Sequence, residues 1–329
     1  MNSAAKDPNP YKRLALVGAF CIGGYALNIY RTLKFFNPML SETYEYIDND
    51  LNFRYYAEQV SHHPAISACY VEGDGFKYYT NTNAESKFLF SKGALEFQPI
   101  GRTFVNFSNF NETITFNKPK ATVRNLMFGK LHLDSYGTIL VTNHNTGDTC
   151  KIKIFEEGYP TKNDRGVIVG ECRDAYGNIQ MKIEGNWESF IEISYKDELS
   201  ERTIKETIWE KIKIEGNEED RYFFSDFAIN LNNINDELRE VLPPTDSRFR
   251  PDQRALEEQN MTLAGEEKNR LEEKQRDTRK IREKQGIKYK PMYFEETYDD
   301  LTGEVIYLYT GSYWENRYNR DFSKFYNIY

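Results

Sequence analysis

The stretch EQVSHHPAISA, residues 58–68, places His62 and His63 side by side in a chain that has only four histidines. Two scarce residues next to each other, between a Gln-Val-Ser run and a proline, indicate a site. Four interpretations are open at this point: a metal site, a nucleophile, an anion site, or a hydrogen-bonded structural pair.

A metal site and a nucleophile both fit the histidine pair poorly. Adjacent side chains of a strand point to opposite faces, so neighbouring histidines rarely ligate one metal. The other histidines, His132 and His144, lie far along the chain, and neither HExxH nor a Cys/His cluster occurs. Ser61 and His62 seldom reach each other as neighbours, and no GxSxG turn is present. An anion site and a structural pair stay open, because imidazole N–H groups donate well to phosphate.

The segment KFFNPMLSETYEY, residues 34–46, surrounds an Asn-Pro turn with polar groups. Lys34 and Asn37 bring a cation and an amide close together, with Glu42 beside them. Such a pair can grip a phosphate. The plainer interpretation is a turn that closes a helix and opens a strand.

The segment EEKNRLEEKQR, residues 266–276, spaces three charges by four residues. On a helix this spacing places Lys268, Glu272 and Arg276 on one stripe. The plainer interpretation is an exposed salt-bridge ladder, which contributes only tenths of a kcal/mol per pair.

Composition favours a soluble globular protein that is rich in strands. The 329 residues are 39% hydrophobic and 29% charged and include 24 Tyr and 22 Phe, and aromatic residues favour half-buried pleated surfaces. The net charge of −8 argues against nucleic-acid binding over a broad face. Any surface that docks on an anionic membrane must therefore be local. The four cysteines lack CxxC spacing and are expected to be reduced thiols of a cytoplasmic protein.

The first two hundred residues fall into two regions. Residues 1–33 contain the apolar run LALVGAFCIGGYAL (14–27), which is too short to span a bilayer and predicts a buried helix. Residues 34–200 alternate apolar and polar side chains and have Gly at three expected turns, DSYGT, NTGD and DAYGN. This pattern predicts antiparallel strands arranged as a barrel or a sandwich.

The later residues are more mixed. Within residues 201–250, the stretch EEDRYFFSDFA (218–228) is predicted to be a core strand. Residues 252–284 predict a charged, solvent-exposed helix, because apolar positions are sparse and hold no heptad. The last forty residues predict aromatic-rich strands or loops.

Taken together and in this order, the segments resemble the lipid-binding domain of the oxysterol-binding protein family. YKPMYFE (289–295) is a weaker match to the segment that closes the domain. The resemblance covers about residues 10 to 320. The matching stretches are KFFNPMLSETYEY, EQVSHHPAISA, GNWES (185–189), LPPTDSRFRPDQRALEE (242–258) and AGEEKNRLEEKQRDTRK (264–280).

The resemblance implies a mainly β chain with helices. The expected fold is an incomplete antiparallel β-barrel around a hydrophobic lipid tunnel, with helices at the N-terminus and late in the chain. It implies one lipid-binding domain over residues 1–329. This domain would include a short N-terminal segment, residues 1–33, and a helical and aromatic C-terminal subregion, residues 245–329 approximately.

The resemblance also implies a lipid-binding and lipid-transfer protein rather than an enzyme, with no cofactor and no metal. Such a protein binds phosphatidylinositol 4-phosphate and exchanges it for a second lipid, a sterol or phosphatidylserine, between membranes. The protein is expected to be a cytoplasmic monomer that associates peripherally and transiently with organelle membrane surfaces. It is not expected to bind nucleic acid. The alternative is a lipid sensor or scaffold that binds the phosphoinositide without net transfer.

The family's head-group residues carry over to matching positions of this sequence. Two departures lie beside them: Ser41 and Ala65 stand where many members have Gly and Pro, and we expect both to alter backbone rigidity rather than binding. Only 33 residues precede Lys34, so transfer is expected to use a short lid or a partly open tunnel. By this resemblance the 4-phosphate would contact His62, His63 and Arg276, and the inositol ring and phosphodiester would be surrounded by Lys34, Asn37, Lys268 and Glu272.

Overall fold

The computed structural model describes residues 1–31, 36–158, 165–197, 200–214, 216, 218–323 and 325–329. The α-helices are α1 (Asn2–Lys6), α2 (Pro10–Gly23), α3 (Asp226–Asn230), α4 (Asp236–Val241), α5 (Pro251–Glu257), α6 (Met261–Gln285) and α7 (Tyr313–Tyr318). Short 3₁₀ turns occupy Phe90–Lys92 and Ser247–Phe249.

The strands make most of the fold, and all pairings of the named strands with a described register are antiparallel. They are β1 (Thr43–Asp48), β2 (Phe53–His62), β3 (Ala65–Gly73), β4 (Phe76–Leu89), β5 (Ala94–Ile100), β6 (Arg102–Phe107), β7 (Glu112–Asn117), β8 (Lys120–Arg124), β9 (His132–Asn143), β10 (Thr149–Ile154), β11 (Val167–Arg173), β12 (Ile179–Asn186), β13 (Phe190–Lys196), β14 (Thr203–Glu210), β15 (Phe294–Asp299) and β16 (Glu304–Tyr309).

The chain divides into two compact units. The first unit comprises Met1–Leu33, Glu72–Tyr78 and Ala84–Ile229, and the second comprises Lys34–Val71, Tyr79–Asn83 and Asn230–Tyr329. Among the described strands β1 pairs only with β2, and β14 only with β13; an isolated bridge joins Thr43 of β1 to Asp246. The sheet is therefore not closed into a barrel, which agrees with the incomplete barrel that the resemblance implies.

In the first unit, α2 is the buried helix that the apolar run predicts. Asn9 caps it, because its side chain accepts hydrogen bonds from the backbone N–H groups of Tyr11 and Lys12 (2.9 and 3.1 Å). A Cβ added to Gly18 would lie 2.6 Å from Ile152 Cδ1, so glycine lets the helix approach β10 closely. The helix buries completely the side chains of Leu14, Ala15, Val17 and Ile22.

The sheet of the first unit is a meander from β9 to β14, extended by β8 and β5 beyond β9. In β9, Tyr136 pairs with β8 whereas Gly137 already pairs with β10. Gly137 has a φ of +115°, which only glycine adopts without strain. The stretch DSYGT is therefore a bend inside one strand, and its prediction as a turn is wrong. NTGD and DAYGN do form turns, which are closed where the backbone N–H groups of Gly147 and Gly177 donate to the carbonyls of Asn143 and Asp174, both at 2.9 Å.

The stretch EEDRYFFSDFA is not a core strand, so that prediction is wrong. Residues 218–223 form turns and α3 begins at Asp226. Tyr222 and Phe223 have φ values of +50° and +60°, which a strand excludes. The aromatic rings suggest a strand, but Phe223 packs on Tyr30 with ring centroids 5.6 Å apart.

In the second unit, an aromatic core lies between β2 and the last fifty residues. The ring of Tyr56 stacks on that of Tyr313 with centroids 3.8 Å apart, and Trp314 packs edge-on against Tyr313 at 5.0 Å. Glu58 accepts hydrogen bonds from the backbone N–H groups of Met292 (2.7 Å) and Tyr293 (3.0 Å). These contacts fasten the YKPMYFE segment to the strand that carries the histidine pair.

None of the helices described is long and apolar enough to cross a membrane.

Candidate functional site

A cavity of about 530 Å³ lies in the second unit between the segment before β1, the end of β2, and α6. We call it the histidine cavity. Lys34 lies outside the described residues, so its position relative to the cavity is not described. The other six residues predicted for the head-group site all line the cavity: Asn37, His62, His63, Lys268, Glu272 and Arg276.

The two histidines face the same cavity although they are neighbours. β2 ends at His62, and His63 already belongs to the turn before β3, so the alternation of strand side chains does not extend across the pair. Their ring centroids lie 4.4 Å apart at an interplanar angle of 67°. Within the described part of the chain, no group of three or more His, Cys, Asp and Glu side chains could hold a metal.

Gln275 connects the three segments of the cavity and fixes the proton of His62. Its Oε1 accepts a hydrogen bond from the backbone N–H of Leu40 at 2.8 Å, which identifies Nε2 as the donor group of the amide. This Nε2 lies 3.0 Å from His62 Nε2, so the ring nitrogen accepts and its proton sits on Nδ1. Burial lowers the pKa of His62, and His63 and Arg279 lower it further. His62 is therefore a neutral ring that can donate one N–H.

The charged stripe on α6 forms one wall. Lys268 Nζ lies 3.7 Å from Glu272 Oε1, and Arg276 Nη1 lies 3.8 Å from Glu272 Oε2. These pairs are long and their side chains are about half exposed, so they stabilise the fold little. Glu272 thus lies between two cations that stay accessible to solvent. Leu271 is fully buried below them and holds this face of the helix towards the cavity.

Arg250 forms a buried support behind the Asn-Pro turn. It donates to the backbone carbonyl of Asn37 (2.7 Å) and to Glu42 Oε2 (2.9 Å), and both of its other nitrogens reach Asp252 (2.8 and 3.0 Å). Glu42 Oε2 also accepts from the N–H of Met39 at 2.9 Å. Burial raises the pKa of Glu42 to about 7 despite Arg250. The guanidinium thus serves mainly to hold the turn, because four of its five N–H donors are already used.

Ser41 explains why glycine suits its position. Its φ is +72°, which lies in the left-handed region. A residue with a Cβ adopts this conformation at a cost of about 1–2 kcal/mol. Its hydroxyl donates to Tyr289 Oη at 2.9 Å, and Tyr289 donates to Glu58 Oε1 at 3.2 Å. Serine therefore offsets part of the backbone strain with a hydrogen bond that glycine cannot make.

Sequence reasoning missed three residues with polar side chains that line the cavity: Arg250, Gln275 and Arg279. Gln275 and Arg279 could have been found by extending the stripe, because they lie seven residues after Lys268 and Glu272 and seven residues make almost two turns. Arg250 had no signal in local spacing, since it reaches the cavity from a distant loop. It lies inside the matched stretch LPPTDSRFRPDQRALEE, where no single residue was selected.

A sequence model of the oxysterol-binding protein family matches residues 1–318. The chain belongs to the oxysterol-binding protein family. It is 35% identical over 326 residues to oxysterol-binding protein-related protein 3 of Mus musculus, which covers 98% of this chain and 36% of that protein. It is 36% identical over 312 residues to oxysterol-binding protein-related protein 1B of Arabidopsis thaliana, covering 95% of this chain and 61% of that one. The chain thus spans about a third of the mouse relative's length.

Crystal structures of family members share the fold. The Osh1 ORD domain in complex with cholesterol superimposes with a TM-score of 0.89 at 30% identity, covering 100% of this chain and 80% of that one. The Osh3 ORD of Saccharomyces cerevisiae in complex with PI(4)P superimposes with a TM-score of 0.82 at 29% identity, covering 99% and 84%. The mainly antiparallel sheet, with helices at the N-terminus and late in the chain, is the fold that the resemblance implies.

Proposed function

We propose that this chain binds phosphatidylinositol 4-phosphate through its head group in the histidine cavity, and exchanges it for a second lipid between membranes. The observation that carries the proposal is the meeting of a histidine pair with Lys268 and Arg276 in one cavity. The complex of the related Osh3 ORD with PI(4)P supports it.

The chemistry of the cavity suits a phosphomonoester. Such a group carries nearly two negative charges near neutral pH, and Arg276 offers a planar fork for its oxygens. The Nδ1–H of His62 adds a donor that costs no proton uptake. Besides the buried Arg250, three half-exposed cations line the cavity, Lys268, Arg276 and Arg279, against one carboxylate among the described residues, Glu272. In our proposal Glu272 accepts a hydrogen bond from an inositol hydroxyl, which explains an acid at an anion site.

The proposed exchange partner is a sterol or phosphatidylserine. A separate cavity of about 620 Å³ in the first unit is lined by apolar side chains of α2 and β14, among them Leu16, Phe20, Ile208 and Trp209. We propose it as the site for the apolar body of the second lipid. Burying hydrocarbon contributes about 0.8 kcal/mol per CH₂, and the Osh1 ORD complex with cholesterol supports a sterol. We also propose that the protein is a monomer, that it lies in the cytoplasm and that it associates peripherally with organelle membranes.

Head-group binding is tested with the double variant His62→Ala, His63→Ala. We expect affinity for short-chain phosphatidylinositol 4-phosphate to fall on the order of a hundredfold, because two hydrogen bonds to a charged group are lost. The unfolding midpoint should change little, since neither ring is fully buried. His144→Gln, at a histidine that lies in the first unit, is the matched control. Equal affinity of double variant and wild type would overturn the proposed site.

Transfer is tested with the same proteins and two vesicle populations. Donors carry phosphatidylinositol 4-phosphate, and acceptors carry sterol, phosphatidylserine or neither. We expect catalytic delivery to acceptors in both directions, accelerated by the acceptor that holds the second lipid. Stoichiometric extraction without delivery would instead indicate the alternative, a lipid sensor or scaffold.

A further inference from the structure

We propose that the basic end of α6 and the residues that follow it, 274–290, form a docking surface for an anionic bilayer. We call these residues the basic segment. The inference deepens the proposed function and takes the membrane as partner from it.

The charge of the basic segment opposes that of the chain. Residues 274–290 contain eight Lys and Arg and two carboxylates, a net charge of +6 in a chain of net charge −8. Clusters of four to eight cations on a helix bind anionic lipid surfaces, and each cation near the surface strengthens attraction. The sequence requires any docking surface to be local, and this segment meets that requirement.

Intramolecular ion pairs use up only part of this charge. Lys280 pairs with Asp277 at 3.0 Å and Arg279 with Glu283 at 3.7 Å. Lys284, Lys288 and Lys290 are exposed, and no ion pair involving them occurs among the described residues. Three cations within seven residues of sequence, 284–290, are thus exposed to solvent.

The helix dipole does not account for the pattern. Cations near a helix C-terminus are stabilising only within the last turn. α6 ends at Gln285, and Gly286 with a φ of +66° turns the chain away. Lys288 and Lys290 lie beyond that point and gain nothing from the dipole. The positive charge of Lys288 and Lys290 therefore does not serve to stabilise α6.

Two apolar side chains stand among the cations. Ile281 is 54% exposed and Ile287 is 56% exposed. Exposed aliphatic residues between lysines are typical of segments that lie in the interface of a bilayer. A partner that is merely acidic and polar would leave both side chains in water, so a lipid surface fits the segment better.

The basic segment is continuous with the histidine cavity. Arg276 and Arg279 belong to both, so a bilayer bound along the segment lies beside the residues proposed to hold the head group. Docking would then position the cavity for extraction as well as attach the protein.

The test measures binding to vesicles that contain phosphatidylcholine and phosphatidylserine but no phosphoinositide. The variant Lys284→Gln, Lys288→Gln, Lys290→Gln is compared with Lys77→Gln, Lys182→Gln, Lys196→Gln, which changes net charge equally at exposed lysines of the first unit. We expect the partition coefficient to fall roughly tenfold to a hundredfold in the first variant only, and wild-type binding to weaken as salt rises. The variant Lys288→Gln, Lys290→Gln leaves α6 intact and should show part of the loss.

The outcomes separate this proposal from the proposed function. Short-chain phosphatidylinositol 4-phosphate should bind wild type and both triple variants equally, because none of these lysines lines the cavity. Docking on phosphoinositide-free vesicles without head-group binding would overturn the proposed function alone. Equal losses in both triple variants, or no loss in either, would overturn the docking surface. So would binding to polyglutamate that exceeds binding to the vesicles.

Discussion

Two arginine–glutamate pairs, one in each unit, are built in opposite ways. Arg13 on α2 pairs with Glu112, and the two side chains are 5% and 6% exposed. Arg276 on α6 pairs with Glu272, and these side chains are 51% and 48% exposed. Arg13 Nε lies 2.8 Å from its carboxylate and Arg276 Nη1 lies 3.8 Å from its own. The first pair is committed to the fold, whereas the second leaves both charges accessible to solvent, as the proposed head-group site requires.

The largest expected effect is the loss of the buried pair. Arg13→Ala leaves Glu112 buried without its cation, and removes hydrogen bonds to the carbonyls of Asp7 and Pro8 (2.9 and 3.0 Å). We expect the free energy of unfolding to fall by about 3–5 kcal/mol, measured by urea denaturation. Arg276→Ala is the control and should cost less than about 1 kcal/mol. Equal costs would show that burial does not separate the two pairs.

A buried carboxylate without an arginine sharpens the comparison. Burial raises the pKa of Glu58 to about 7, above its ordinary 4.5, so the folded chain holds a proton that the unfolded chain releases. Stability should therefore fall as pH rises between these values, by up to about 3 kcal/mol. In Glu58→Gln the part of this fall that Glu58 causes should be absent when unfolding is measured from about pH 5 to about pH 8, and the part that Glu42 causes should remain, because burial raises its pKa to about 7 as well. The same pH dependence in both proteins would contradict the assignment.

The exposed pair is tested by binding. Arg276→Ala should lower affinity for short-chain phosphatidylinositol 4-phosphate by about tenfold to a hundredfold, because a charge-assisted hydrogen bond is worth roughly 1.5–3 kcal/mol. Arg276→Lys should recover only part, since lysine lacks the planar fork. Isothermal titration calorimetry gives both values. Full recovery by lysine would mean that charge alone matters.

Gln275 offers a smaller effect with a specific signature. In Gln275→Leu the donor to His62 Nε2 is lost, and the ring is free to carry its proton on either nitrogen. We expect affinity to fall about tenfold and the ¹⁵N chemical shifts of His62 to move towards a tautomer mixture. Gln275→Glu should instead favour a protonated ring. Unchanged shifts in both variants would remove Gln275 as a positioning residue.

The smallest expected effect concerns Ser41. Ser41→Ala keeps the Cβ at positive φ and removes the hydroxyl, whereas Ser41→Gly removes both. The glycine variant should be more stable than the alanine variant by about 1 kcal/mol, measured by thermal unfolding. A more stable alanine variant would mean that the backbone strain at this position is negligible.

Most of the fold could be predicted from the sequence, because period-two alternation and the apolar run of α2 are strong local signals. The failures share a cause. The sequence around Gly137 is typical of a turn, and the sequence around Phe223 and Phe224 is typical of a strand. In both places tertiary contacts, which local sequence does not show, decide whether a turn, a bend or a strand forms. Six of the seven predicted site residues line one cavity, although the roles assigned to them stay predictions. Arg250 could not be found, because only its contacts with Asn37 and Glu42, which are distant in sequence, bring it to the cavity.

The distribution of tryptophan gives each unit its own optical reporter. Of the three tryptophans in the chain, Trp187 and Trp209 belong to the first unit and Trp314 to the second. Trp314 packs against Tyr313 in the aromatic core, and Trp187 is fully buried elsewhere. Replacing Trp314 with Phe leaves tryptophan fluorescence from the first unit only. Replacing Trp187 and Trp209 together with Phe leaves it from the second unit only. In each of these proteins, denaturation curves from tryptophan fluorescence and from far-UV circular dichroism that superimpose would show cooperative unfolding of the whole chain, and curves that separate would give each unit a stability of its own.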